Sequence, residues 1–248
     1  MLNPDAIEEA RVGEKEVVGL ALGSNVFWNS TLSYAQEVLA DNPIAYYRFE
    51  ETEGPTVVDE TSGLVGTVYG ANLNVDGRIG SGASFDGVND SIVTPETTSI
   101  TGNDPWSLEM WAKVNSGGPS RQGWYWWSGP SSQSANRLIS VSCTSNRIEV
   151  AHWANDWTSN VSVALGEWQH IVVTYDGANE RIYSNGALAD SRVTGPLIIT
   201  SGDWTIAARP GASQSQYLNS VIDEPAIYDY ALSPERILAH YQAANTAA

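Results

Sequence analysis

The sequence predicts an all-β protein, an antiparallel sandwich or barrel with one short helix before it and one after it. From Pro43 onward the chain is a series of short β-rich runs broken by Gly, Asn, Asp and Pro, the pattern of short strands joined by tight turns. Asn185-Gly186 stands between two such runs. A type I′ hairpin needs φ > 0 at both central positions, which Asn and Gly tolerate. A chain of 248 residues can bury a real core, and β-sandwiches of this length are commonly one domain.

Residues 1–30 lack the turn-bounded rhythm of the rest. Residues 4–12 are charged and lead into the apolar stretch 20–28, which reads as an arm able to dock on another protein. The segment 31–42 reads as a short helix. Ser33-Tyr34-Ala35-Gln36 is a capping box, in which the Ser hydroxyl and the Gln side chain each satisfy a free end group. Val38 and Leu39 give this helix an apolar side, and Asn42-Pro43 ends it. Residues 43–243 form the sandwich and its closing helix. There Ser233 takes the N-cap and Pro234 the first helical position, where a missing N–H costs nothing. Ile237, Leu238 and Tyr241 would dock that helix on the sheet, and residues 244–248 are a tail. No internal repeat is apparent.

Composition narrows function. The net charge is −17, with Lys15 and Lys113 the only lysines, which argues against nucleic acid and anionic membranes as partners and suits cations. With Trp 10, Tyr 11 and Phe 3, the aromatics are of the kind that carry a polar tip and serve half-wet surfaces as well as cores. The single Cys143 alternates with Ile139 and Val141 and reads as a small buried hydrophobe, so no disulfide within the chain is available. No signal peptide is visible at the charged N-terminus, and no apolar run reaches membrane-spanning length.

The C-terminal third carries a run of motifs: Trp168, His170, Tyr175, Asp176 and Gly177, then Tyr183 to Gly186, then Ile222-Asp223-Glu224 and Leu232-Ser233 with Glu235 and Ile237. Upstream stand Tyr46-Tyr47-Arg48-Phe49-Glu50-Glu51, Val58-Asp59-Glu60-Thr61-Ser62-Gly63, Gly80 to Gly87 with Asp90-Ser91-Ile92-Val93, and Trp106 to Trp111. In this order they resemble the LamG-like jelly roll of the concanavalin A-like lectin/glucanase superfamily, over residues 43–243. The resemblance implies a two-sheet antiparallel jelly-roll β-sandwich, usually a binding module rather than a catalyst. It also implies a calcium ion held by Glu50, Asp59 and Asp223, with Asp86, Asn89 and Asp90 as a second loop cluster. Trp111 and Trp168 fall at positions that the family uses for its core.

No motif supports catalysis. The paired carboxylates of the superfamily's glucanases, spaced Glu-x-Asp-x-x-Glu so that two face one sugar, have no counterpart, since Glu149 is followed at +2 by Ala151. In a strand the adjacent Asp223 and Glu224 would face opposite ways. His152, His170 and His240 show no metalloenzyme spacing, and His170 reads as structural.

Glycan binding is better supported, because apolar sugar faces stack on aromatic rings. The run 123–129 holds Trp124, Tyr125, Trp126 and Trp127; in a regular strand Trp124 and Trp126 share one face and Tyr125 and Trp127 the other. A second cluster is Trp153 and Trp157. With Ile148 and Val150 inward, continued parity sets Trp153 outward beside Glu149 and leaves Trp157 in the following loop. Trp124, Tyr125, Trp127, Trp153 and Trp157 are therefore the expected glycan- or partner-binding residues. The segment Ala10-Arg11-Val12 with Val17-Val18 resembles short segments of tailed-phage structural proteins. The expected function is a non-catalytic module on a bacteriophage virion surface, contacting glycans and held to other virion proteins by its arm, and compatible with homo-oligomerisation. The alternatives are a purely structural capsid-decoration or tail protein and a cellular adhesion module.

Overall fold

The structure is a computed structural model and describes residues 32–95, 100–115, 121–128, 135–200, 202–209 and 217–246, with four short strands before residue 30; within 121–128 only the side chains of Trp126 and Ser128 are described. The four early strands are β1 (Arg11–Val12), β2 (Lys15–Glu16), β3 (Val18–Leu22) and β4 (Asn25–Asn29). They pair two by two, β1 with β2 and β3 with β4, in two-stranded sheets of their own.

Helix α1 (Tyr34–Ala40) begins as its capping box dictates: Ser33 Oγ accepts the Gln36 N–H at 3.3 Å and Gln36 Oε1 accepts the Ser33 N–H at 3.1 Å. Asn42, at φ 49°, turns the chain out ahead of Pro43. The strands that follow are β5 (Ala45–Tyr46), β6 (Thr56–Val58), β7 (Val65–Tyr69), β8 (Asn72–Asp76), β9 (Ser81–Asp86), β10 (Ser91–Thr94) and β11 (Trp106–Val114). Next come β12 (Arg121–Ser128), β13 (Ile139–Thr144), β14 (Arg147–Ala151), β15 (Trp157–Ser162), β16 (Trp168–Tyr175), β17 (Asn179–Ser184), β18 (Ala187–Val193), β19 (Trp204–Ile206) and β20 (Asn219–Tyr228). Helix α2 (Pro234–Thr246) closes the described chain, and the Ser233 hydroxyl accepts the Arg236 N–H at its start.

Two antiparallel sheets make the sandwich. One runs β15-β14-β13-β12-β19-β10-β7-β6; the other runs β18-β17-β16-β11-β20-β9-β8, with β5 also on β20. Alternation along β11 shows how the sequence builds both faces of the second sheet. Trp106, Leu108, Met110 and Ala112 enter the core between the sheets, where they meet Trp126, Ile148, Ile171 and Ile206. Each fully buried large apolar side chain there contributes roughly 1.5–3 kcal/mol. Cys143 belongs to the same core. Trp111 faces the other way, into a second cluster with Val172 and Tyr183 that Tyr34 and Val38 of α1 and Ile237 of α2 cover. The expected docking of α2 is seen for Ile237 and Tyr241, whereas Leu238 is exposed. Asn185 and Gly186 adopt φ 52° and 79° between β17 and β18, as the hairpin requires.

Under the helices lies a polar knot. The buried Glu109 accepts hydrogen bonds from Tyr34 Oη and Tyr228 Oη at 2.9 Å, meets His170 Nε2 at 2.8 Å and lies 3.0 Å from His240 Nδ1. His240 Nε2 is 2.9 Å from Asp41 Oδ2, and Arg236 bonds both Asp41 and Glu37. Burial pushes the Glu109 carboxyl up, but the charge of His240 and the hydrogen bonds from both histidines outweigh it and hold the group well below the usual range. His240 is correspondingly raised: burial lowers it, and the charges of Glu109 and Asp41 more than reverse that. One carboxylate thus fastens both helices to the sheet.

Candidate functional site

The aromatic residues singled out in the sequence fall on the first sheet. Trp126 is wholly buried and meets Trp204 edge-on, ring centres 5.6 Å apart. Strand β12 does not alternate regularly: its register against β13 shifts between Gln122 and Trp124 and again between Trp124 and Trp126. Trp124 lies opposite Ser142, and Trp127 opposite Ser140 and Thr205. The side chains of Trp124, Tyr125 and Trp127 lie outside the described residues.

Trp153 and Trp157 are described, and the geometry differs from simple parity. Ile148 and Val150 do face the core. Strand β14 nevertheless ends at Ala151, and Trp153 and Ala154 take φ 62° and 57°, so alternation does not reach Trp153. Glu149 does not face outward but is buried and held by the hydroxyls of Ser142 and Thr158. Trp157 is not in a loop; it opens β15 opposite Val150 and packs its half-buried ring on the core.

The β14–β15 turn is held by a second buried polar knot. His152 reaches Leu138 O at 2.7 Å through Nδ1 and Glu180 Oε1 through Nε2. Glu180 also accepts from Arg192 Nε at 2.6 Å and Thr194 Oγ1 at 2.8 Å. Burial pushes Glu180 up, but the hydrogen bond and charge of His152, helped by Arg192, leave it below its ordinary value. Arg192 then spans the turn, its guanidinium 5.4 Å from the Trp157 ring centre and its Nη2 donating to Asn155 O at 2.8 Å. Asn155 Nδ2 donates to Asn136 Oδ1 at 3.0 Å, and Asn136 N donates to Trp153 O. At this turn stands the half-buried Trp153 indole, with Arg209 5.2 Å from its ring centre. A bulky residue at positive φ costs on the order of 1–3 kcal/mol, and such costs persist where surrounding structure fixes them. The tip can offer one aromatic face flanked by amides and cations, which suits stacking of an apolar ring with polar edges.

The expected calcium residues separate into two places. Asp223 and Glu50 meet at the loop between β8 and β9: Asp223 Oδ2 accepts the N–H groups of Arg78 and Ile79 at 2.8 and 2.9 Å, and Glu50 Oε2 accepts the Ser81 N–H at 3.2 Å. A Cβ at Gly77 would sit 2.7 Å from Asp223 Oδ2 and one at Gly80 2.2 Å from Glu50 Oε1, so the loop's glycines make room for these carboxylates. Asp223 Oδ1 is buried with no partner. Burial and the neighbouring Glu224 push Asp223 up, and burial also raises Glu224, which Tyr46 and Arg48 contact. Both carboxylates are buried, and regular alternation does not hold between them, since β20 slips register against β11 here and Glu224 has φ 53°. Asp59 is elsewhere, its oxygens taken by Tyr46 N, Thr61 and Ser62 around a turn. Asp86 and Asp90 likewise hold their own loop, Asp86 through Val88 N and Asn89 N and Asp90 through Asp86 N. Among the described residues no group of three His, Cys, Asp or Glu side chains could hold a metal ion. The orphaned Asp223 oxygen and the glycine cradle fit one hard cation only if backbone oxygens complete the six to eight that calcium takes.

Sequence reasoning missed one place on the second sheet. Trp168, expected in the core, is half-buried and lines a cleft of about 240 Å³ with Trp111, Arg78 and Tyr241. Only the pairing of Trp111 with α2 makes it, and no spacing in the chain announces that pairing.

The two antiparallel sheets and the helices at either end define a jelly-roll β-sandwich. Residues 86–238 match the Laminin_G_3 family, described as the concanavalin A-like lectin/glucanases superfamily, and the chain belongs to that family. No curated protein matches the chain. Among solved structures it is similar to domain 4 of AbnA, an extracellular arabinanase of Geobacillus stearothermophilus solved with arabinotriose. The identity is 19% and the TM-score 0.64, covering 81% of this chain and 98% of that one. It is similar to the binding domain of Paraclostridial Mosquitocidal Protein 1 at 15% identity and TM-score 0.65, covering 82% of this chain and 52% of that one. It also resembles a Trypanosoma rangeli sialidase solved with 2,3-difluorosialic acid, at 14% identity and TM-score 0.61, covering 79% of this chain and 32% of that one. The chain thus spans about half of the mosquitocidal binding domain and a third of the sialidase. At these identities the likeness carries the fold alone. Among the described residues no helix is long and apolar enough to cross a membrane.

Proposed function

We propose that this chain is a non-catalytic binding module that takes a glycan on the tip between β14 and β15, with Trp153 as the stacking platform. The observation that carries this is Trp153 itself: a partly accessible, half-buried indole at φ 62°, under Arg209, on a turn fixed by the buried Glu180–His152–Arg192 knot. A core ring needs no such backbone, and a chance surface ring needs no such scaffold. The arabinotriose complex of AbnA domain 4 and the binding-domain role named for the mosquitocidal protein agree with a binding use of the fold.

On this reading the module stands on a bacteriophage virion, and residues 1–30 attach it to another virion protein. Their strands pair only β1 with β2 and β3 with β4, and with no sandwich strand among the described residues, which supports reading them as an attachment arm. Glu50 and Asp223 hold a calcium ion at the β8–β9 loop, together with backbone oxygens.

A glycan array probed with the full chain and with Trp153→Ala tests the function. The expected result is retention on a subset of glycans, lost in the variant, with an unchanged melting curve. Retention on no glycan, with Trp153→Ala blocking particle assembly, would instead assign the tip to a protein contact.

A further inference from the structure

The outer face of the second sheet is roofed by α1 and α2, and the roof stops short at one corner. There a cleft of about 240 Å³ opens between the β8–β9 loop, the β17–β18 turn and α2. That space suits a single sugar ring rather than the drug-sized ligands that fill pockets of roughly 300–1,000 Å³. Trp111 and Tyr241 stack at 5.8 Å between ring centres, and Trp168 is half-buried beside them.

The polar groups are the informative part. The Arg78 guanidinium lies 4.9 Å from the Trp111 ring centre, and its Nη2 donates to Asn245 Oδ1 at 2.5 Å. Its own backbone N–H is clamped by Asp223, so the side chain is anchored at both ends. Among the described residues Arg48, Arg181, Arg192 and Arg236 each pair with a carboxylate, whereas the side chains of Arg78 and Arg147 bond only neutral oxygens. In a chain of net charge −17 that is unexpected, because acidic partners are abundant. A guanidinium fixed against an aromatic face keeps its remaining donors free for a carboxylate, in the fork geometry that arginine offers. The Trp111 indole N–H, buried in the cleft wall, has no hydrogen-bond partner. Asn185 uses its Oδ1 on His170 N at 2.9 Å, which leaves its amide N–H groups as donors. Glu167 is exposed in the wall and can accept from hydroxyls.

We propose that this cleft is a second binding site, for a carboxylated sugar unit. Arg78 takes the carboxylate, the Trp168 ring takes an apolar sugar face, and Asn185 and Glu167 take hydroxyls. Uronic acids and sialic acids share this chemistry. Binding here is independent of Trp153, which lies on the β14–β15 turn at the edge of the other sheet.

The test is a titration of the full chain, followed by tryptophan fluorescence, with sodium glucuronate, N-acetylneuraminate and glucose as a neutral control. Wild-type protein should bind one or both acids and not glucose at the same concentration, and binding should weaken as salt is added. Arg78→Gln should weaken it at least ten-fold and Trp168→Ala likewise, whereas Trp153→Ala should leave it unchanged. Because Arg78 meets Asp223 through its backbone, Arg78→Gln should keep the wild-type melting curve; if it does not, Trp168→Phe, which keeps an aromatic face, should retain most of the binding. Binding of glucuronate alone or of sialate alone supports the site and names the source. No binding of either acid by wild type, or equal affinity in Arg78→Gln, overturns it.

Discussion

Glu109→Gln removes one charge and one acceptor from the centre of the knot beneath the helices. The carboxylate serves Tyr34, Tyr228, His170 and His240 with two oxygens. The amide has one oxygen, and its NH₂ must face a group that is itself a donor. Breaking a buried, hydrogen-bonded charge pair costs about 3–5 kcal/mol. In a domain of this size about 1 kcal/mol moves Tm by roughly 2–4 °C, so the variant should melt roughly 6–20 °C lower. The pH dependence separates electrostatics from packing. His240 is raised by Glu109 and Asp41, so its contribution is full below the ordinary histidine value and is lost as pH rises through the raised one. Glu109 is depressed, so its contribution is full above the ordinary carboxylate value and is lost as pH falls through the lower one. The gap between wild type and Glu109→Gln should therefore be widest between about pH 4.5 and 6.5 and narrow on the alkaline side. Thermal melts by circular dichroism from pH 4 to 9 measure it. A gap constant across that range would refute the charged His240–Glu109 pair and leave only shape.

Three further outcomes are expected. Gly186→Val puts a β-branched residue at φ 79° with its Cβ 3.0 Å from Tyr241, so stability should fall by roughly 1–3 kcal/mol; an unchanged Tm would mean that the turn relaxes freely. Chelation of calcium should lower Tm by a few degrees, and Asp223→Asn, which keeps an acceptor for Arg78 and Ile79, should abolish the response; a variant still sensitive to chelator would exclude Asp223 as a ligand. Deleting residues 1–30 should leave the melting curve of the sandwich intact while preventing incorporation into the particle; a truncated chain that still assembles would place attachment on the sandwich.

The fold was legible because its signals are local. Ser33 with Gln36, Ser233 with Pro234 and Asn185 with Gly186 each specify a cap or turn within a few residues, and the structure places each as expected. The sites were less legible because they depend on where parity fails. Trp153 follows the end of its strand at positive φ, β12 shifts register twice, and Glu224 sits where β20 slips against β11, so simple alternation does not hold at these places. The histidine knots were invisible for another reason: Glu109 and His240 are far apart in the chain and meet only because α2 folds back over β11. The same fold-back turns Trp168 from an expected core residue into a cleft wall.

The most direct test of glycan binding at the tip is the indole N–H spectrum of ¹⁵N-labelled protein. Each of the 10 tryptophans contributes one signal, and single substitutions assign those of Trp153 and Trp168. On addition of a glycan retained on the array, the Trp153 signal should move in a saturable way, while those of the buried Trp106, Trp126 and Trp204 stay fixed. A Trp153 signal that holds still while the glycan binds would contradict the assignment of this tip as the binding platform.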